Sequence, residues 1–146
     1  MATVETLLSR KDKGVWSISP NSTVYEAIQI MDKKGIGALA VTHNDNLIGI
    51  LSERDYARKV ILKGRSSSET QVEEIMTRDV LYTFPEQNIE DCMVMMSEKH
   101  IRHLPVIQNK TLVGMITLGD VVKEIIKEQQ IKIEHLEQTI SWGESY

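Results

Sequence analysis

A chain of 146 residues has room for one domain with a proper core and is short for two ordinary ones. Hydrophobic residues make up 41% and charged residues 26%, a globular balance, and the net charge of −4 argues against a nucleic-acid partner held by bulk electrostatics. Met1 to Trp16 lacks the apolar stretch of a secretory signal, and no apolar run nears the roughly 20 residues that span a bilayer. The single cysteine, Cys92, rules out an internal disulfide, so a reducing, cytoplasmic setting away from membranes is expected.

After an N-terminal segment, residues 1–16, the extended piece Ser17–Ile18 leads to Pro20. A helix follows. Thr23 and Glu26 have capping-box spacing, Val24, Ala27, Ile28 and Met31 recur at helical period, and Gly35 suits the left-handed position that stops it. Ala38–Thr42 and Leu47–Leu51 form a hairpin around His43 to Asn46, and a second helix starts near Ser52. Lys63 to Gln71 is a polar linker, and Val72–Met76 a short helical turn running into Thr77–Asp79.

From Tyr82 the pattern begins again. Ser17 to Ile61 overlays Tyr82 to Ile126 without a gap, with about a quarter of positions identical. Pro20 falls on Pro85, Met31 on Met96, Leu39 on Leu104, Gly49 on Gly114 and Asp55 on Asp120. The second helix has Asn88 and Asp91 at capping-box spacing, the face Ile89, Cys92, Met93, Met96, and His100 where the first copy has Gly35. Its hairpin pairs Leu104–Ile107 with Leu112–Ile116. The partition expected is motif one at 17–62, linker and short helix at 63–76, motif two at 77–127, and a helical tail at 128–146.

The fold class expected is therefore α/β (α+β), a β-α-β-β-α unit repeated in tandem, with a C-terminal helix. A sheet of about three strands with helices on one side cannot bury both faces alone. Two copies packed sheet to sheet with pseudo-twofold symmetry can, and ligands belong in the cleft between them.

The repeats GILSERD (Gly49 to Asp55) and GMITLGD (Gly114 to Asp120), with KKGIGALAV and KHIRHLPV before them, resemble the signature of CBS motifs, which pair into a Bateman module. The SERD version is similar to that of small bacterial proteins made of little else. The resemblance implies a non-catalytic regulatory or energy-sensing module that binds an adenine nucleotide (AMP, ADP, ATP or NAD(H)) or S-adenosylmethionine between the motifs and signals to an unknown partner protein. No catalytic cofactor is implied. It also implies that Asp55 with Ser52, and Asp120 with Thr117, meet ribose and phosphate. Arg102 and His103 would approach phosphates, with Gly37 and Ala38 as the first copy's equivalents. The adenine would lie against Ser17 and Ile18 in one copy and Tyr82 and Thr83 in the other. The second signature has Leu118 and Gly119 where the first has Glu53 and Arg54, so the sites are unequal.

The residue chemistry suits this. A carboxylate accepts from both ribose hydroxyls as in dinucleotide-binding folds, and a helix N-terminus with Arg54 and then Arg58 one turn on along the same face suits phosphate. The plainer reading of Ser52 with Asp55 and Thr117 with Asp120 is a helix cap. If they read ribose instead, Asp55→Ala and Asp120→Ala should weaken binding and leave stability nearly unchanged. His100 and His103 have no second pair to complete a metal shell. Cys92, aligned with Ala27, reads as a small buried residue, and Met93, Met95 and Met96 read as core filler. Arg54, Arg58, Lys59, Lys63 and Arg65 form a basic stretch without interleaved aromatics, better suited to a solvated face or phosphate contacts than to nucleic acid. In the tail, Val122, Ile126, Gln129, Ile133, Leu136 and Ile140 alternate by four and three, a heptad stripe whose early part is expected to pack on its own motif and whose remainder beyond Glu128 suggests a homodimer, with Trp142 and Tyr146 adding to it. A scaffold whose ligand sites are vestigial is the alternative function. No nucleophile–base pair, P-loop or metal cluster supports an enzyme.

Overall fold

The computed structural model describes residues 2–11 and 14–144, the last four by backbone only. Tyr146 and the side chain of Trp142 therefore lie outside the described residues. The elements run α1 (Val4–Arg10), β1 (Ser17–Ile18), α2 (Val24–Lys34), β2 (Ala38–His43), β3 (Asn46–Ser52), α3 (Glu53–Tyr56), α4 (Val72–Ile75), α5 (Ile89–Lys99), β4 (His103–Gln108), β5 (Thr111–Thr117) and α6 (Leu118–Glu144). The fold is mixed α/β with two sheets, of order β1-β2-β3 and β4-β5.

The chain divides into two compact units: residues 13–82 with 105–115, and residues 1–12 with 83–104 and 116–146. In the first of these, β1 runs parallel to β2, and β2 antiparallel to β3 in a register that sets Ala38 opposite Ser52. Side chains from one face of α2 (Val24, Ala27, Met31) join Ile18, Leu39, Val41, Leu51, Val60, Val72, Ile75 and Met76 in one core. Ile28 packs at its margin. Alternation along the strands and the three-to-four spacing along α2 bring these residues to the same side.

In the other unit, α5 lies against α6, and α1 also lies against α6. Its buried residues include Val4, Leu7, Ile89, Cys92, Met96, Leu104, Ile116 and Val121. Met96 is core as expected, whereas Met93 and Met95 are half-buried. The Cys92 thiol is fully buried, and burial pushes it above its ordinary value; a hydrogen bond with Thr83 opposes this and the charge of Asp91 adds to it.

Turn chemistry follows the sequence closely. Gly35 (φ 64°) and His100 (φ 54°) both take the left-handed stop. The loops read as four residues tighten to two. Asn44 and Asp45, and then Asn109 and Lys110, all have positive φ, as a type I′ hairpin demands.

Three expectations are corrected. Thr23 accepts from the Glu26 amide, but Asn88 forms no side-chain cap. Asn88 is instead bridged to Thr3, and the Ile89 amide donates to the Ala2 carbonyl, so the start of α5 is satisfied by the N-terminal segment. Among the described residues no named strand of the second copy matches β1; only a bridge at Thr83 stands there. Thr83 there turns its hydroxyl to Gln87 and Cys92. The helix begun at Ser52 also widens after Tyr56 into a π-helical stretch, Ala57–Ile61, so Arg54 and Arg58 do not stand on one regular helical face.

The segments that precede the copies are used crosswise. α4 precedes the second copy in sequence but packs in the core built on the first. α1 precedes the first copy but packs on α6 of the second. Continuing the repeat overlay backward sets buried Leu7 of α1 on buried Val72 of α4, so the two helices are equivalents.

Candidate functional site

Each signature turn is a strand end that becomes a helix start, and in both copies the cap is reciprocal. The Asp55 amide donates to Ser52 Oγ at 3.1 Å, while Asp55 Oδ2 accepts from the Ser52 amide at 3.0 Å. The Asp120 amide donates to Thr117 Oγ1 at 3.0 Å, and Asp120 Oδ2 accepts from the Thr117 amide at 2.9 Å. Thus the plain reading of these four residues as caps is realised.

The turns are also tied to the preceding strand. The Glu53 amide donates to the Gly37 carbonyl at 3.0 Å, and the Leu118 amide to the Arg102 carbonyl at 2.9 Å. Gly37 and Ala38 are thereby held beside Ser52 and Asp55, and Arg102 and His103 beside Thr117 and Asp120. Arg54, Arg58 and Arg102 are exposed and form no ion pair among the described residues. His103 is half-buried.

Carboxylate surroundings separate the two copies. Asp55 is buried, at 8% exposure. Besides the Ser52 amide, its oxygens accept from Ser52 Oγ at 3.1 Å and Thr77 Oγ1 at 3.2 Å, and Lys59 Nζ stands 3.1 Å away. Lys59 also donates to the Ile75 carbonyl at 2.9 Å, and Thr77 pairs with Ile50 as an extra rung beside β3. Gly49 permits this approach: a Cβ there would sit 2.5 Å from Met76 Sδ and 3.1 Å from the Thr77 carbonyl.

Asp120 is more open, and the hydrogen bonds described for it fall on Oδ2, where Lys11 Nζ donates at 2.6 Å. Its side chain is 25% exposed. Burial alone would raise its carboxyl, but the Lys11 ammonium and the Thr117 amide hold it below the ordinary value of 3.8. The overlay sets Lys59 on Glu124, so the second copy has no lysine of its own at that place. Arg10 pairs with Glu124, and Lys11 supplies the cation that Asp120 would otherwise lack.

Of the residues expected at the adenine, Ser17 is exposed, Ile18 lies in the core and the Thr83 side chain is fully buried. Ile18 and Thr83 can thus offer a ligand their backbone more readily than their side chains. Within the basic stretch, Lys59 is committed to Asp55 and Ile75, and Arg65 donates to Glu74 at 2.6 Å. No helix among the described residues is long and apolar enough to cross a membrane, and they contain no cluster of three or more metal-ligating side chains.

Sequence reasoning missed Lys11 and Thr77, and read Lys59 only as part of a charged run. Lys59 stands four residues after Asp55, a spacing that signals a helical ion pair. Lys11 and Thr77 carry no local signal, since each sits in a segment outside the motif it serves.

The CBS domain family matches this chain twice, at residues 8–62 and 72–127. The mitochondrial CBS domain-containing protein CBSX3 of Arabidopsis thaliana is 36% identical over 150 residues, which cover 97% of this chain and 73% of that protein. A solved protein with CBS domains from Burkholderia ambifaria shares 46% identity at a TM-score of 0.83, covering 88% of this chain and 96% of its own. The CBS domain pair of protein MJ0100, solved with 5-methylthioadenosine and S-adenosyl-L-methionine, is 25% identical at a TM-score of 0.77, covering 87% of this chain and 98% of its own. With two matches that span most of its length, and a duplication visible in its own residues, the chain belongs to the CBS-domain family and carries two copies of the domain.

Proposed function

We propose that the chain is a non-catalytic regulatory module that binds an adenosyl ligand, with the turn Thr117 to Asp120 as its principal site. AMP, ADP, ATP, NAD(H) and S-adenosylmethionine share the adenosyl group that these residues would read. The carrying observation is the asymmetry of the carboxylates. Asp55 is buried among four protein donors, whereas Asp120 is partly open and bonded through Oδ2. Asp120 would accept from the ribose hydroxyls, while Arg102, exposed and held beside the helix start, would meet phosphate. Ligands bound to the related MJ0100 pair belong to the same chemical class.

In this reading the ligand changes the balance between two arrangements of a cytoplasmic homodimer, with motifs at 17–62 and 77–127, and that change reaches a partner protein. Such a signal requires unequal affinity for the two arrangements. Calorimetric titration of the purified protein with AMP, ATP, NAD and S-adenosylmethionine tests it. Binding that falls at least tenfold in Asp120→Asn supports the site. Affinities all weaker than about a millimolar, roughly −4 kcal/mol, overturn it.

One observation favours a second reading, a scaffold with vestigial sites. Both aspartates already hold lysines, Lys59 at Asp55 and Lys11 at Asp120. The same titration decides between the two.

A further inference from the structure

α6 has two distinct faces. Val121 and Glu124 are buried, and Ile125 and Glu128 half-buried. Glu124 meets Arg10, and Glu128 accepts from the Ala2 amide, so this face is spent on α1 and its own unit. The heptad stripe starts one residue further on, about 100° round the helix. It is exposed from its first member: Val122 38%, Ile126 59%, Ile133 47%, Leu136 60% and Ile140 60%. From Gln129 to Ile140 every residue is exposed. A helical stretch such as Gln129 to Ile140, exposed throughout among the described residues, is marginal in water by itself, and its apolar stripe is continuous with that of the packed part.

We propose that the Val122–Ile140 stretch of α6 pairs with the same stretch of a second copy as a parallel two-stranded coiled coil. This rests on the homodimer reading and adds the surface, direction and register. The spacing fixes the heptad. Ile126, Ile133 and Ile140 take the a positions, and Val122, Gln129 and Leu136 the d positions. Isoleucine at all three a positions, with leucine at one of the three d positions, suits two strands within a parallel coil.

Polar residues choose the direction. In parallel register Gln129 meets its own copy, and the two amides can hydrogen-bond each other. In antiparallel register it would face Ile133 and leave its amide buried without a partner. Lys132 precedes an a position and Glu137 follows a d position. These flanking sites face each other across a parallel pair, giving Lys132–Glu137 contacts twice by symmetry. The antiparallel alternative sets Lys132 against Lys132.

The test uses the full chain in sedimentation velocity at micromolar concentration. Wild type is expected to be a dimer, and Leu136→Asp a monomer with unchanged near-ultraviolet dichroism, because Leu136 is 60% exposed in its own chain. Leu136→Cys should give a disulfide-linked dimer on mild oxidation, which wild type, with its thiol buried, does not. Lys132→Glu should weaken the dimer and Lys132→Glu with Glu137→Lys restore it. A wild-type dimer that survives Leu136→Asp overturns the coil while leaving the homodimer standing. A wild-type monomer overturns both. A dimer in which Leu136→Cys does not cross-link, or in which the charge exchange does not restore association, overturns the parallel register.

Discussion

Lys11 donates to Asp120 at 2.6 Å although 109 residues separate them, and in the proposed site it would compete with a ribose hydroxyl for the same carboxylate. Because both partners are partly solvated, the pair itself is worth only about 0–1 kcal/mol. A ligand hydroxyl that bonds Oδ2 of Asp120 competes with Lys11. Lys11→Ala should therefore bind adenine nucleotides more tightly, by about five-fold for ~1 kcal/mol of competition removed, with little change in melting temperature. Calorimetry of the two proteins side by side checks this. Weaker binding in Lys11→Ala would mean that the lysine assists the ligand instead.

The same contact sets an acid limit. Asp120 is held below the ordinary 3.8 in the folded protein, so its contribution to stability is present above that value and fades as pH falls through the lower, folded one. Denaturant melts from pH 6 down to about 3 should show wild type losing more stability over the acid end than Lys11→Ala does. Parallel curves would remove Lys11 as the cause.

Asp55 behaves differently. Sequence alone leads one to expect that alanine at either aspartate spares stability. With Asp55 buried and serving Ser52, Thr77 and Lys59, Asp55→Ala should cost about 1–3 kcal/mol and lower the melting temperature by several degrees. Asp120→Ala should cost less than half of that. Equal losses in thermal melts would contradict the asymmetry on which the choice of site depends.

Gly49 gives a packing prediction. Its Cβ would overlap Met76, which is itself buried, so Gly49→Ala should lose roughly 1–3 kcal/mol. Shortening the neighbour should relieve the clash, making the double variant Gly49→Ala with Met76→Ala less unstable than the sum of its parts. Additive losses measured by urea unfolding would argue that the rung at Thr77 moves away freely.

These residues mark what can be read without coordinates. The repeat, both left-handed stops and both signature caps were legible, because each depends on neighbours within one or two turns of chain. The failed cap at Asn88 was not, since Ala2 and Thr3 satisfy the start of that helix from the far end of the sequence. The partners of the Thr83 hydroxyl, Gln87 and Cys92, are likewise not legible from its repeat position, since its counterpart in the first copy, Ile18, has no hydroxyl. The heptad stripe was visible as a pattern, but only the burial of Val121 and Glu124 shows that it faces away from its own unit from the start. Lys11 and Thr77 show the general limit. A side chain lent by one repeat's leading segment to the other repeat leaves no periodic trace.

The crosswise use of α1 and α4 orders events during synthesis. α4 emerges from the ribosome just behind the copy it completes, so motif one can acquire its cover while the rest of the chain is still being made. α1 emerges before any of motif two exists. The contacts of its segment with α6, Ala2 with Glu128 and Lys11 with Asp120, close loops of more than a hundred residues and must wait for that helix. α1 is thus made long before α6, and the more open of the two signature carboxylates is the one whose lysine reaches it across a long loop.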